Sequence, residues 1–91
     1  MIIDSKDIEQ NSLLEADVCI VGAGAAGITI AREFFNTQTK VVLLESGGLE
    51  YENETQDINE GEFDGNSFEK ITGESYLRNF RLRYLGGNTN C

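Results

Sequence analysis

Two short apolar runs, separated by a glycine turn and an amphipathic stretch, dominate the pattern of this chain. Asp17-Val18-Cys19-Ile20-Val21 is a continuous run of β-formers, and Lys40-Val41-Val42-Leu43-Leu44-Glu45 is a second. Unbroken runs of this kind predict parallel strands covered on both faces, because a strand with one wet face alternates with polar residues. Between the runs, Ile28, Ala31 and Phe35 recur at i, i+3 and i+7, with Ile30 and Phe34 alongside, while Arg32, Glu33 and Asn36 take the other side. That spacing predicts a helix of about three turns after Gly27, ended by the poor helix formers Asn36-Thr37-Gln38-Thr39. Strand, glycine turn, helix and strand within about thirty residues make a βαβ unit, so the expected fold class is α/β.

The flanks read differently. Residues 1–16 are polar and mixed in charge, with Leu13 and Leu14 the main apolar interruption, and form a lead-in arm with room for a short helical turn. Residues 49–75 are acidic and rich in Gly and Asn, with Phe63, Phe68 and Ile71 scattered without a period. They predict an irregular acidic extension lying over a surface, its charges solvated. Residues 76–85 regain apolar content mixed with Arg78, Arg81 and Arg83, leave room for a third short strand, and run into a second glycine turn, Gly86-Gly87-Asn88-Thr89-Asn90. The expected organisation is an arm at 1–16 and one α/β segment at 17–91.

The first turn carries the chemistry. Gly22-Ala23-Gly24-Ala25-Ala26-Gly27 follows one strand directly and opens the helix, which is the context a dinucleotide-binding G-x-G-x-x-G requires. Gly22 permits the sharp exit from the strand, Gly24 leaves space for a pyrophosphate, and Gly27 allows the helix to pack closely on the sheet. The phosphates would sit where the helix N-terminus offers unpaired N–H groups and the positive end of its dipole. Glu45 closes the second strand about 20 residues further on, where a carboxylate accepts from the adenosine ribose hydroxyls. A 2′-phosphate there would meet a like charge, which disfavours NADP. In the second turn, adjacent glycines bring backbone N–H groups near a ligand, and Arg81 or Arg83 can offset phosphate charge.

Charge and cysteine content narrow the partners. With 16 acidic against 7 basic residues and a net charge of -9, nucleic acid and anionic membrane are poor partners. No apolar run approaches the ~20 residues of a membrane-spanning helix. Met1-Ile2-Ile3-Asp4-Ser5-Lys6-Asp7 has neither a basic n-region nor a long apolar h-region, so no signal peptide is expected and a cytoplasmic location is the default. Cys19, inside an apolar run, reads as a small buried hydrophobe, and Cys91 is the last residue. Two reduced thiols fit better than a disulfide. With no CxxC pair and no His, no metal site is expected.

Beyond the motif, residues 17–27 followed by Val42-Leu43-Leu44-Glu45 resemble the FAD-binding N-terminus shared by many flavoproteins. Glu45-Ser46-Gly47-Gly48 is similar to an element of the glucose–methanol–choline (GMC) oxidoreductases, and residues 81–90 resemble that family's second FAD-contacting stretch. The resemblance covers residues 17–91. It implies a partial Rossmann-like FAD-binding unit, with Gly22, Ala23, Gly24, Ala25, Ala26, Gly27, Glu45, Ser46, Arg83, Gly86, Gly87, Asn88, Thr89 and Asn90 contacting FAD. It also implies a parent enzyme oxidising the CH–OH group of an alcohol or sugar. Asn88 departs from the pattern, standing where Ser, Thr or Cys is commoner. The family's catalytic His lies in a downstream substrate domain and this chain has no His, so no residue here is assigned a catalytic role.

A complete dinucleotide-binding half-fold has three parallel strands, and only two are legible here, so the chain is expected to be the opening part of a larger domain. Two alternatives stand beside the enzyme reading. One is a non-catalytic remnant, which length favours for the 91 residues alone. The other is a different FAD-dependent branch. Disulfide reductases would need a Cys pair near the motif, and amine-oxidase relatives an Arg-rich stretch where Gly47-Gly48-Leu49-Glu50 stands.

Overall fold

The structure, a computed structural model, describes residues 1–61 and 76–90. In chain order these hold a 3-10 turn at Ser5–Asp7, strand β1 at Val18–Val21, helix α1 at Ala25–Glu33 and strand β2 at Val41–Leu44. Two short helices, α2 at Asn53–Asp57 and α3 at Tyr76–Asn79, and a 3-10 turn at Gly87–Asn90 complete them. The fold is mixed α/β. β1 and β2 pair in parallel, with Val18 opposite Val41 and Val21 opposite Leu44. Parallel neighbours cannot be joined by a tight turn, and α1 supplies the crossover. The ladder runs past both strand ends: Asp17 and Val18 donate their N–H groups to the Lys40 carbonyl at 2.9 and 3.2 Å, and Gly22 donates to that of Leu44 at 2.7 Å. The arm contains the expected helical turn, capped by the Asp4 carboxylate on the N–H of Lys6.

Burial corrects the expectation that both sheet faces are covered. β1 alternates, with Ile20 buried and Cys19 and Val21 exposed, Val21 at 82%. Ile20 meets α1, while the face carrying Cys19 and Val21 is open among the described residues. Cys19 is therefore an exposed free thiol rather than a buried hydrophobe. Cys91 lies outside the described residues.

The helix also differs from its sequence reading. It begins at Ala25, so Gly27 lies in its first turn, and it ends at Glu33 instead of Asn36. The N–H of Phe34 folds back onto the carbonyls of Ala31 and Arg32, and Asn36, at φ 61°, takes the left-handed conformation that Asn tolerates at helix ends. The inward stripe is Gly27, Ile28, Ala31 and Phe34, while Phe35 is 78% exposed. Close approach of Gly27 to the sheet turns that face inward, and Phe35, two residues past the end of the helix, falls out of its register and stays exposed.

The acidic extension, expected to be irregular, contains α2. Its turns continue through the N–H groups of Ile58, Asn59 and Glu60 onto the carbonyls of Thr55, Gln56 and Asp57. Glu52, Glu54, Asp57 and Glu60 face solvent, whereas Gln56 and Asn59, one turn apart, are 1% and 6% exposed. Phe63, Phe68 and Ile71 lie outside the described residues. A third strand at 76–85 is not found: among the described residues the sheet has two strands, and this segment opens with α3. Its polar backbone groups are taken by side chains of the α2 region in place of a neighbouring strand.

Candidate nucleotide-binding site

The first glycine turn joins the end of β1 to the start of α1. Gly22 leaves the strand at φ +101°, a conformation that costs glycine nothing and strains any side chain. A Cβ on Gly27 would overlap the carbonyl oxygen of Gly22, so the helix closes on the turn only because no side chain intervenes. Gly24, at the helix N-cap, has an ordinary backbone conformation, and a Cβ there would meet nothing within 4 Å. Protein packing leaves that space open. The first helical bond is the Ile28 N–H to the Gly24 carbonyl at 3.0 Å. The N–H groups of Gly24, Ala25, Ala26 and Gly27 have no acceptor among the described residues. Four unsatisfied donors at the positive end of a nine-residue helix form a place for an anion.

Glu45 sits at the other side of this turn. Its Oε2 accepts the Ala23 N–H at 2.8 Å, and its Oε1 accepts the Gly47 N–H at 2.9 Å and the Ser46 hydroxyl at 3.3 Å. Partial burial pushes the carboxyl pKa up, but the N–H groups of Gly47 and Ala23 and the Ser46 hydroxyl outweigh it, leaving the pKa below its ordinary 4.5. Glu45 is thereby an anion that cross-links the end of β2 to the glycine turn. Each carboxylate oxygen has two lone-pair sites, so Oε2 retains acceptor capacity for a ligand hydroxyl.

The second glycine turn packs against the first. Gly86 adopts φ +90° and donates its N–H to the Ala23 carbonyl at 2.7 Å. A Cβ on Gly87 would lie 3.4 Å from Cα of Gly24. Leu85 donates to the Gly48 carbonyl at 3.0 Å, and Gly47 fits so tightly against the Arg83–Tyr84 backbone that a Cβ would overlap the Arg83 carbonyl. Tyr84 meets Tyr51 edge to face, their ring centroids 6.2 Å apart. The structure thus brings Gly22–Gly27, Glu45, Ser46, Arg83, Gly86 and Gly87 to one end of the sheet.

The remaining turn residues serve the turn itself. Asn88, the departure from the family pattern, accepts the Leu82 N–H on Oδ1 at 2.7 Å and donates from Nδ2 to the Phe80 carbonyl at 2.9 Å. The Thr89 hydroxyl donates to the Gly86 carbonyl at 2.5 Å, and Asn90 Nδ2 to those of Leu85 and Gly87 at 2.9 and 3.0 Å. Their polar groups hold the loop's own backbone.

The three arginines separate cleanly. Arg78 pairs with Asp57 at 2.7 Å and reaches Glu60 at 3.6 Å, and the Asp57 bond raises its pKa further. Arg81 is exposed, and among the described residues its side chain reaches only the Leu77 carbonyl, at 3.4 Å. Arg83 points to the site: Nη1 donates to the Ser46 hydroxyl at 2.8 Å and Nε to Asn59 Oδ1 at 3.0 Å, with no carboxylate partner among the described residues. It is the cation nearest in structure to Glu45's neighbour Ser46.

Sequence reasoning missed Gln56 and Asn59. Gln56 Nε2 donates to the carbonyls of Arg78 and Arg81, and its Oε1 accepts the Arg83 N–H at 3.1 Å. Asn59 Nδ2 donates to the Arg81 carbonyl at 2.8 Å. Two carboxamides at i, i+3 amid carboxylates were the available signal, since a carboxamide both donates and accepts whereas a carboxylate only accepts.

An open groove of about 810 Å³ runs from Glu45 and Gly47 between α1, β2 and the arm, lined by Ile2, Phe35, Val41, Leu43 and Leu49 among others. A hollow of about 560 Å³ lies at the opposite end of the strands, around Leu14 and Lys40, and shares no residue with the glycine turns. Among the described residues there is no cluster of His, Cys, Asp and Glu that could hold a metal, and no helix long and apolar enough to cross a membrane. No protein-family model, curated protein or solved structure matches the chain.

Proposed function

We propose that this chain is the FAD-binding segment of a flavin-dependent oxidoreductase acting on the CH–OH group of an alcohol or sugar, built on a partial Rossmann-like unit. One observation carries the nucleotide reading: both glycine turns and the strand-end carboxylate meet on Ala23, whose N–H goes to Glu45 and whose carbonyl accepts from Gly86. Beside that junction lie four N–H groups with no partner among the described residues and the open space at Gly24. The donor set fits a pyrophosphate, held by the Gly24–Gly27 N–H groups with Arg83 offsetting its charge. Glu45 would accept a ribose hydroxyl and repel a 2′-phosphate. The GMC assignment and the alcohol or sugar substrate rest on the sequence resemblance alone.

When bound, FAD would supply the hydride acceptor, and the protein would supply binding and orientation. No side chain here is assigned the proton transfer. With no His in the chain and no side chain assigned the proton transfer, nucleotide binding without turnover is expected for these 91 residues alone. Isothermal titration with FAD, ADP and NADP tests the reading. Saturable binding of FAD and ADP, weaker binding of NADP, and no alcohol-dependent dye reduction are expected. Equal affinity for NADP and ADP, or no binding of FAD and ADP, would overturn it.

A further inference from the structure

Asn59 lies on no glycine turn and belongs to no recognised motif, yet it is 6% exposed and both ends of its carboxamide are engaged. Nδ2 holds the Arg81 carbonyl at 2.8 Å, and Oδ1 accepts the Nε–H of Arg83 at 3.0 Å. Arg83 Nη1 meets the Ser46 hydroxyl at 2.8 Å, while Nη2 has no partner among the described residues. The backbone of Arg83 is fixed as well, through its N–H on Gln56 and its carbonyl against Gly47.

We infer that Asn59 is a positioning residue: by accepting the Nε–H of Arg83 it turns the guanidinium toward Ser46 and leaves Nη2 free to donate to the diphosphate of a bound nucleotide. This rests on the proposed nucleotide site for its ligand, but not for the geometry. An arginine side chain has large rotamer freedom, so an exposed cation contributes little directed attraction until something orders it. Anchoring Nε fixes the plane of the guanidinium, because its five N–H groups share one rigid fork. A side chain in the α2 region would thus set the charge geometry of a site built on the glycine turns.

Two variants separate orientation from charge. Asn59→Leu removes both the acceptor for Nε and the donor to the Arg81 carbonyl. Asn59→Asp loses the same donor but keeps an acceptor for Nε, and places a negative charge against the guanidinium. The Nε–H of Arg83 is followed by 15N NMR in the unliganded chain, with the exposed Arg32 as the reference. It should exchange with solvent several-fold more slowly than that of Arg32 in the parent and in Asn59→Asp, and at the Arg32 rate in Asn59→Leu. ADP affinity should fall roughly tenfold in Asn59→Leu and in Arg83→Met, the range for one hydrogen bond to a charged group, and the double variant should be no weaker than either. In Asn59→Asp, ADP affinity should fall with a flatter dependence on salt.

An Nε–H of Arg83 that exchanges like that of Arg32 in the parent would overturn the positioning. So would losses for Asn59→Leu and Arg83→Met that multiply in the double variant, because Asn59 would then act through the fold and not through Arg83. A parent that binds neither FAD nor ADP overturns the nucleotide site and the ligand half of this inference. The unliganded Nε–H measurement decides the positioning half either way.

Discussion

Gly86 donates its N–H to the carbonyl of Ala23 across 2.7 Å, while the N–H of that same Ala23 is held by Glu45 at 2.8 Å. One fully buried alanine thereby joins the second glycine turn to the strand-end carboxylate. Displacement of either partner is transmitted through a single residue, which makes the junction sensitive to small changes.

The glycines of the first turn should fail in different ways. Gly27→Ala forces a Cβ into the Gly22 carbonyl, and overpacking of this kind costs about 1–3 kcal/mol. Gly24→Ala meets open space in an ordinary conformation and should lose no more than about 0.5–1 kcal/mol, the difference between Gly and Ala at an N-cap. Gly24→Val should abolish FAD retention while leaving the fold intact. Urea denaturation and flavin absorbance of the three variants check this. A large stability loss in Gly24→Ala would show that the space is needed by the protein itself.

Glu45 should make stability depend on acid pH. Its pKa in the fold lies below the ordinary 4.5, so its contribution is fully present above that value and is lost as pH falls through the lower folded value. Glu45→Gln removes this dependence and turns an amide N–H toward a backbone donor. Urea midpoints measured from pH 6 downward should fall less steeply below 4.5 in the variant than in the parent. Parallel curves would show that the carboxylate contributes no proton linkage. Glu45→Ala should weaken FAD binding by roughly tenfold or more, as expected for loss of a charged acceptor.

Gln56→Leu should release the second glycine turn while sparing the strands. It removes the Gln56 bonds to the Arg78 carbonyl and the Arg83 N–H, while the Arg81 carbonyl keeps its bond from Asn59, at a cost of about 1–3 kcal/mol for each group left buried and unsatisfied. Hydrogen exchange should accelerate at the Leu85 and Gly86 N–H groups and stay unchanged at Gly22, whose N–H belongs to the sheet ladder. Equal acceleration at all three would mean that the two glycine turns unfold as one unit.

Cys19 should behave as an accessible thiol. In a Cys91→Ser background, reaction with a thiol reagent should proceed in the folded chain at close to its rate in urea. Strong protection in the folded chain would show that the outer face of β1 is covered in solution.

What the sequence revealed follows from which forces leave a periodic trace. The two strands, the crossover helix and the placement of Gly22, Gly24, Gly27 and Glu45 at one end of the sheet are legible because apolar runs and glycine spacing encode them. Cys19 was misread because a continuous apolar run suggests cover on both faces, whereas β1 has it on one. Phe35 reads as inward because the helical spacing carries on past Glu33 in the sequence, whereas the helix ends there and Phe35 leaves its register. Gln56 and Asn59 left no trace in hydropathy, since their burial is supported by hydrogen bonds and not by apolar contact. The part played by Gly47 depends on a segment far along the chain and becomes visible only when the two meet.

The contact between Ala23 and Gly86 also bears on the order of folding. The loop it closes is roughly three times longer than that between the paired Val18 and Val41, which adds about 1 kcal/mol of closure entropy. Strand pairing across α1 should therefore come early and the second turn should dock late, after the Gln56 clamp has shortened the search. A nascent chain would then expose the N–H groups at the start of α1 before Arg83 arrives beside Ser46. If those groups hold a nucleotide as proposed, the ligand would act as a template for the final closure, and its supply would set the rate of maturation as well as the yield.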